Sequence, residues 1–253
     1  MAVAQRISTE IRVRFEECGA DGEIRASTFL RYAQDAAWLH SSSAGFGREW
    51  YGQRGLAWLV RCLELEVIGS GHIGDAVTVT TEVVGLRRVW ARRRGEIIDA
   101  TGAPVALVLT DWVMTGPGFT LARIPSEIEA FFPATPGTFE PARVPLPPTP
   151  ADAHRRRFHV RRSELDPMAH VNNAAYVDYM EESLAEAGAL EELGLRPRHY
   201  RLEYQLAAAP GAAITGATWR DGESWAYRLS DEAGADLLRA RFWTTGQRPK
   251  VRP

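Results

Sequence analysis

Leu165-Asp166-Pro167-Met168-Ala169-His170-Val171-Asn172-Asn173-Ala174-Ala175-Tyr176 follows an alternating run, Arg157-Phe158-His159-Val160-Arg161, and leads into the apolar-periodic segment 174–187. The alternation reads as a strand and the periodic segment as a helix. An Asp, a His and two Asn therefore fall on a short strand-to-helix connection, where a scaffold of regular elements tends to hold chemistry. The connection ends at a helix N-terminus, whose unpaired N–H groups and dipole favour developing negative charge.

Downstream of that helix, segments 199–206, 212–220, 224–229 and 235–244 read as four strands. The same order occurs earlier in the chain. Residues 9–17 alternate, with Ile11, Val13 and Phe15 on one face, and read as a half-buried strand. Ser27 is the expected N-cap of a helix whose stripe is Phe29, Leu30, Ala33, Ala36 and Ala37. Four strands follow at 56–68, 76–84, 88–99 and 103–114, with glycine-containing breaks that suggest antiparallel hairpins. A shift of 147 positions lays Ile24 on Val171, Phe29 on Tyr176, Leu30 on Val177 and Tyr32 on Tyr179. The expected architecture is α+β: two copies of one unit, each a long helix wrapped by an antiparallel sheet. The expected division is 1–132 and 153–253. Seven prolines in residues 133–150 make the stretch 133–152 an extended linker. The same shift puts Gly19 on Asp166 and Arg25-Ala26 on Asn172-Asn173, so the first copy lacks the polar cluster. Reaction chemistry is expected of the second copy alone, with packing and a substrate pocket left to the first.

Composition narrows the classes. At 253 residues the chain can bury a full core, and a formal net charge of −2 argues against a dedicated nucleic-acid binder. Cys18 and Cys62 form no CxxC and no His/Cys cluster, so neither a metal site nor a disulfide framework is expected, and a reducing cytosol is the expected compartment. Met1-Ala2-Val3-Ala4-Gln5-Arg6 has no apolar core of signal-peptide length, and no apolar run approaches ~18 residues, so no membrane span is expected.

The pattern Asp166-x-x-x-His170-Val171-Asn172-Asn173-x-x-Tyr176, between a strand and a long helix, resembles the thioesterases of the hotdog superfamily. With two such units in tandem, the chain resembles an acyl-acyl carrier protein (acyl-ACP) thioesterase over roughly residues 9 to 245. In the first half Ala26-Ser27-Thr28-Phe29-Leu30, Trp58-Leu59-Val60, Gly74-Asp75-Ala76-Val77 and Trp112-Val113-Met114 carry the likeness; in the second, His170-Val171-Asn172-Asn173 and Tyr200-Arg201-Leu202-Glu203 carry it. The resemblance implies a tandem double hotdog and no cofactor. It implies hydrolysis of a fatty acyl group carried by phosphopantetheine on acyl carrier protein, and leaves a homodimer open. It casts Asp166 as the catalytic aspartate, His170 as the active-site histidine and Glu203 as a glutamate that helps activate water. Two positions depart from the plant pattern: Met168 replaces an asparagine, and Tyr204 replaces a frequent cysteine, which argues against a cysteine mechanism.

Thioester hydrolysis needs an activated water or a nucleophile, and a donor for the carbonyl oxygen that becomes anionic. Asp166 can act as general base or attack directly. Backbone N–H groups near Asn172 and Asn173 are the candidate oxyanion donors. Each residue also has a structural reading. Asp166-Pro167 opens turns, His170 can bond to backbone, and Asn172 or Asn173 can be the N-cap. Glu203 shares a strand face with Arg201 and Gln205 that would be solvated. Phe29, Trp38 and Trp58 can line an acyl channel or fill the first copy's core. Arginines at 87–88, 92–94, 155–157 and 161–162 can greet an acidic carrier or form the wet faces of strands. The same loop would serve an acyl-CoA or polyketide-releasing thioesterase. A binding module without turnover is the rival from another class, kept open by Met168 and Tyr204.

Overall fold

The computed structural model describes residues 6–132 and 139–244. The chain forms two compact units. One runs to Leu63 and resumes over Gly69–Ala142; the other comprises Glu64–Ile68 and the chain from Arg143. Residues 64–68 thus group with the second unit, a departure from a division in chain order. The first part of the expected linker, residues 133–138, lies outside the described residues.

In the first unit β1 (Arg6–Arg12) is followed by helices α1 (Ala26–Ser43) and α2 (Arg48–Gln53) and by strands β2 (Ala57–Val67), β3 (Ala76–Arg87), β4 (Trp90–Asp99) and β5 (Pro104–Thr115). Helix α3 (Ser126–Phe131) closes it. The strand order is β1-β3-β4-β5-β2, and β1 runs antiparallel to β3 from Arg6 opposite Glu82 to Arg12 opposite Ala76. Helix α1 lies against β3 and buries Phe29, Leu30, Tyr32, Ala36 and Ala37, the stripe that its apolar spacing specifies.

Two expectations need correction here. The first strand stops at Arg12, because the Arg14 N–H is captured by the Glu17 carboxylate and residues 15–17 turn into a short 3-10 helix. Phe15 is consequently 80% exposed rather than aligned with Ile11 and Val13. Ser27 is not the N-cap of α1. The helix starts one residue before it, and Ser27 is buried, accepting a hydrogen bond from Arg31 at 2.8 Å.

In the second unit β6 (His154–His159) precedes helix α4 (Ala175–Leu184), which widens into a π-turn over Ala185–Ala189 before the short helix α5 (Leu190–Leu193). Strands β7 (Arg198–Tyr204), β8 (Ala213–Asp221), β9 (Ser224–Asp231) and β10 (Asp236–Trp243) follow, in the order β7-β10-β9-β8-β6. Tyr200, Leu202, Tyr227, Leu229 and Phe242 are fully buried from the sheet side, and Val177, Met180 and Leu184 from the helix side. The proline-rich segment from 139 has no helix or strand, yet it is docked. The carbonyls of Pro145 and Pro147 accept from Arg241 and Arg228, at 3.2 Å each, and Val144 is buried. Prolines cannot donate, so an extended run of them is held through its carbonyls.

The 147-residue shift recurs in the contacts. The Tyr32 hydroxyl donates to Glu17 and the Tyr179 hydroxyl to Glu164. The Arg14 N–H and the Arg161 N–H each bond to those same carboxylates at 2.7 Å. Cys18 bridges Ile24 as Leu165 bridges Val171. Gly19 N–H donates to Glu23 C=O as Asp166 N–H donates to His170 C=O, both at 2.8 Å. Gly22 and Ala169 occupy the same left-handed corner, at φ +79° and +61°.

Candidate active site

Each unit therefore contains the same five-residue loop between strand and helix, and only the second has a carboxylate at its opening position, Asp166 where the first has Gly19. In the second unit, β6 ends where the Val160 N–H leaves the sheet edge for Ala212 C=O, and a 3-10 turn over Arg162–Glu164 lifts the chain away. The loop opens at Asp166 and closes at His170. In the first unit a Cβ on Gly19 would stand 2.9 Å from the Asp21 carboxylate, which would have to swing aside.

Asp166 is half-buried. One of its oxygens, Oδ1, accepts the N–H of Met168 at 2.8 Å and of His170 at 3.2 Å. These bonds fix the carboxylate's direction, and among the described residues Oδ2 has no hydrogen-bond partner. Met168, where the plant pattern has asparagine, is exposed; its side chain adds nothing to the loop and its backbone orients Asp166. His170 is half-buried, its backbone tied twice to Asp166.

Asn172 closes the turn just ahead of α4, whose N-cap is Ala174 rather than either asparagine. Its Oδ1 accepts the Ala174 N–H at 2.9 Å, its carbonyl accepts the Ala175 N–H, and its own N–H goes to Glu164 C=O. Three of the N–H groups at the helix mouth are thereby used. The Asn173 N–H has no acceptor among the described residues, which narrows the candidate oxyanion donors to that amide. The Asn173 carbonyl is held by the Tyr204 hydroxyl at 2.9 Å.

Tyr204 and Tyr176 are parts of this site that sequence reasoning did not assign. Their rings meet edge to face at 5.4 Å, and the Tyr176 oxygen accepts the Ala208 N–H at 3.1 Å. Burial pushes the Tyr176 hydroxyl above its ordinary pKa; the Ala208 N–H opposes that rise, and the negative charge of Asp166 adds to it. The available signal was the pairing itself, with Tyr176 ten residues after Asp166 and Tyr204 just after the suspected glutamate.

Glu203 has two readings from the sequence, a solvated surface residue or a catalytic one. It is 2% exposed, so the strand face it shares with Arg201 is covered rather than wet. Its Oε2 accepts the Val144 N–H at 2.8 Å and Oε1 lies 3.5 Å from the Arg143 guanidinium. Tyr204, one residue on and so on the opposite strand face, is the side chain that reaches the loop. Arg201 pairs with Glu64 at 3.1 Å. In the first unit Phe29 is fully buried core and Trp38 is exposed. Trp58 packs on a cluster of Phe46, Met114, Ile124, Ile128 and Phe132 and donates to the Tyr51 hydroxyl at 2.9 Å. Phe29 and Trp58 lie in the first unit and Asp166 in the second.

Solved structures with this fold include the 12:0-ACP thioesterase from Umbellularia californica (TM-score 0.79, 21% identity, covering 95% of this chain and 97% of that one). An acyl-ACP thioesterase from Bacteroides thetaiotaomicron is similar as well (TM-score 0.80, 14% identity, 94% and 97%). At such identities the likeness establishes the fold, a helix and antiparallel sheet of the hotdog kind. Residues 5–130 match the acyl-ACP thioesterase N-terminal domain and residues 149–241 the C-terminal domain of that family. The chain belongs to the acyl-ACP thioesterase family. Among its curated relatives, the chloroplastic palmitoyl-acyl carrier protein thioesterase of Cuphea hookeriana is 28% identical over 94% of this chain. The chain spans 61% of that relative's length.

Proposed function

We propose that the chain is a thioesterase that hydrolyses fatty acyl-acyl carrier protein to free fatty acid and carrier thiol, built as a tandem double hotdog. Family membership supports the substrate class, and the duplicated loop contacts support the tandem architecture. The observation that carries the mechanism is Asp166: a carboxylate aimed by two amides of its own loop, with one oxygen unengaged, at the mouth of α4. In this reading Asp166 Oδ2 takes a proton from a water as the water oxygen bonds to the acyl carbon. The carbonyl oxygen becomes anionic and is met by the Asn173 N–H. Collapse of the intermediate breaks the C–S bond, and the departing thiolate takes up the proton. His170 flanks the loop and Asn172 rigidifies it by tying the turn ahead of α4 to Glu164. Glu203, with its oxygens taken up by Val144 and Arg143, secures the incoming segment.

The test is thiol release from acyl-ACP. A general base of this kind contributes about 10²–10⁴-fold, so Asp166→Ala should lower turnover by at least about a hundredfold. Undiminished turnover would remove the mechanism.

A further inference from the structure

The mouths of the two long helices differ although the loops before them match. In the register that lays Gly19 on Asp166, Ala26 falls on Asn173. Helix α1 starts at Ala26, whereas α4 starts at Ala175, two positions later in that register. A regular first turn would close the Val177 N–H on the Asn173 carbonyl, four residues back. That N–H donates instead to the Ala174 carbonyl at 3.0 Å. The released Asn173 carbonyl is taken by the hydroxyl of Tyr204, the last residue of β7, at 2.9 Å.

Among the described residues nothing else hydrogen-bonds to Asn173. The other bonds of this turn are to its own neighbourhood: Ala174 N–H to Asn172 Oδ1, Ala175 N–H to Asn172 C=O, and Asn172 N–H to Glu164 C=O. Tyr204 is thus the link from the sheet to the turn. Its ring is buried and meets the Tyr176 ring edge to face at 5.4 Å, so the hydroxyl sits at the end of a packed lever. Tyr176, near the start of α4, crosses the other way and accepts the Ala208 N–H beyond the end of β7 at 3.1 Å. Where the plant pattern often has cysteine, this chain has the phenol, and a thiol is too short to make the same reach from the strand.

We propose that Tyr204 is a positioning residue for acyl hydrolysis. Its hydroxyl draws the Asn173 carbonyl out of the first turn of α4 and fixes the turn that presents the Asn173 N–H to the oxyanion. This rests on the function proposed above, in which that N–H is the donor.

Tyr204→Phe removes the hydroxyl and keeps the ring pair. With decanoyl-ACP and the whole chain, kcat should fall roughly tenfold or more while KM stays within about twofold, because a misaimed oxyanion donor is felt in the transition state alone. A second readout is independent of turnover. The methyl ketone of a decanoyl chain keeps a planar carbonyl, whereas the trifluoromethyl ketone adds water and becomes tetrahedral, as the reacting carbon does. The wild type should be inhibited roughly tenfold more strongly by the trifluoromethyl ketone. Tyr204→Phe should lose most of that ratio with unchanged inhibition by the methyl ketone. Equal inhibition of the wild type by the two ketones overturns the proposal without reliance on any variant's folding. An unchanged kcat in Tyr204→Phe overturns it, and so does a lowered kcat with an unchanged ketone ratio, the result of a merely loosened fold. Asp166→Ala, assayed alongside, separates the two readings. Turnover lost there but intact in Tyr204→Phe sinks this proposal alone; turnover intact there but lowered in Tyr204→Phe sinks the Asp166 mechanism alone; and no hydrolysis by the wild type sinks both.

Discussion

Glu164 shows how opposing residue-scale effects resolve. Burial would raise its carboxyl pKa, yet the pKa is lowered, because the Tyr179 hydroxyl, the Arg161 N–H and the Arg161 guanidinium together outweigh the loss of water. A carboxylate held below its unfolded value stabilises the fold above that unfolded value, 4.5 for a free Glu, and the contribution fades as pH falls through the folded value. Glu164→Gln should therefore cost about 1–3 kcal/mol near neutral pH, as a charged hydrogen-bond acceptor is lost. Between about pH 6 and pH 3 the wild type should lose more stability than the variant. Urea melts of both proteins across that range check it; parallel curves would show that the network does not couple to protonation. Since Tyr179 is the anchor of the turn that launches the Asp166 loop, the same residue positions the proposed base without touching it.

At the scale of elements, the helix seats on its sheet through absent atoms. A Cβ on Gly216 of β8 would lie 2.7 Å from the Tyr227 hydroxyl and 2.9 Å from Ser183 Oγ on α4. Neither neighbour has room to yield, since both are buried. Gly216→Ala should destabilise the protein by about 1–3 kcal/mol through overpacking, read as a lower denaturant midpoint with unchanged slope. A neutral result would mean that α4 can slide. The loop between strand and helix is also an element-level device. Its backbone is the same in both units, including the left-handed corner that glycine tolerates better than alanine, so the chemistry differs by side chain alone.

At the scale of the molecule, the net charge of −2 conceals a sorting of the arginines. Arg92 forms a two-bond fork with buried Asp111, Arg94 pairs with Glu82, and Arg156 pairs with Glu182 and Glu186, so these clusters are mostly the braced faces of strands. Arg155, Arg157 and Arg162 are exposed and have no partner among the described residues, and they sit on β6 and the turn that leads to the Asp166 loop. If the substrate arrives on an acidic carrier, these three are where steering acts. Replacing them together by Glu should raise KM for acyl-ACP roughly tenfold at low salt, leave kcat nearly unchanged, and lose its effect at high ionic strength. An unaltered KM at low salt would place the carrier elsewhere.

Much of this was legible in the chain because it depends on local periodicity. Alternation and the 3.6-residue stripe marked out the helix and most of the strands of each half among the described residues, and the 147-residue shift pointed to the loop contacts that the two halves share. The Asp166 loop was legible because Asp, His and two Asn are crowded into one short strand-to-helix connection that resembles a known motif. What only the tertiary structure decided is what closes each site and each face. It showed Phe15 turned outward by the Glu17 turn, Glu203 buried beneath the Arg143–Val144 segment, and Tyr204 reaching Asn173. Alternation states that a residue faces one side of a sheet, but whether that side is wet depends on segments distant in sequence that come to lie upon it.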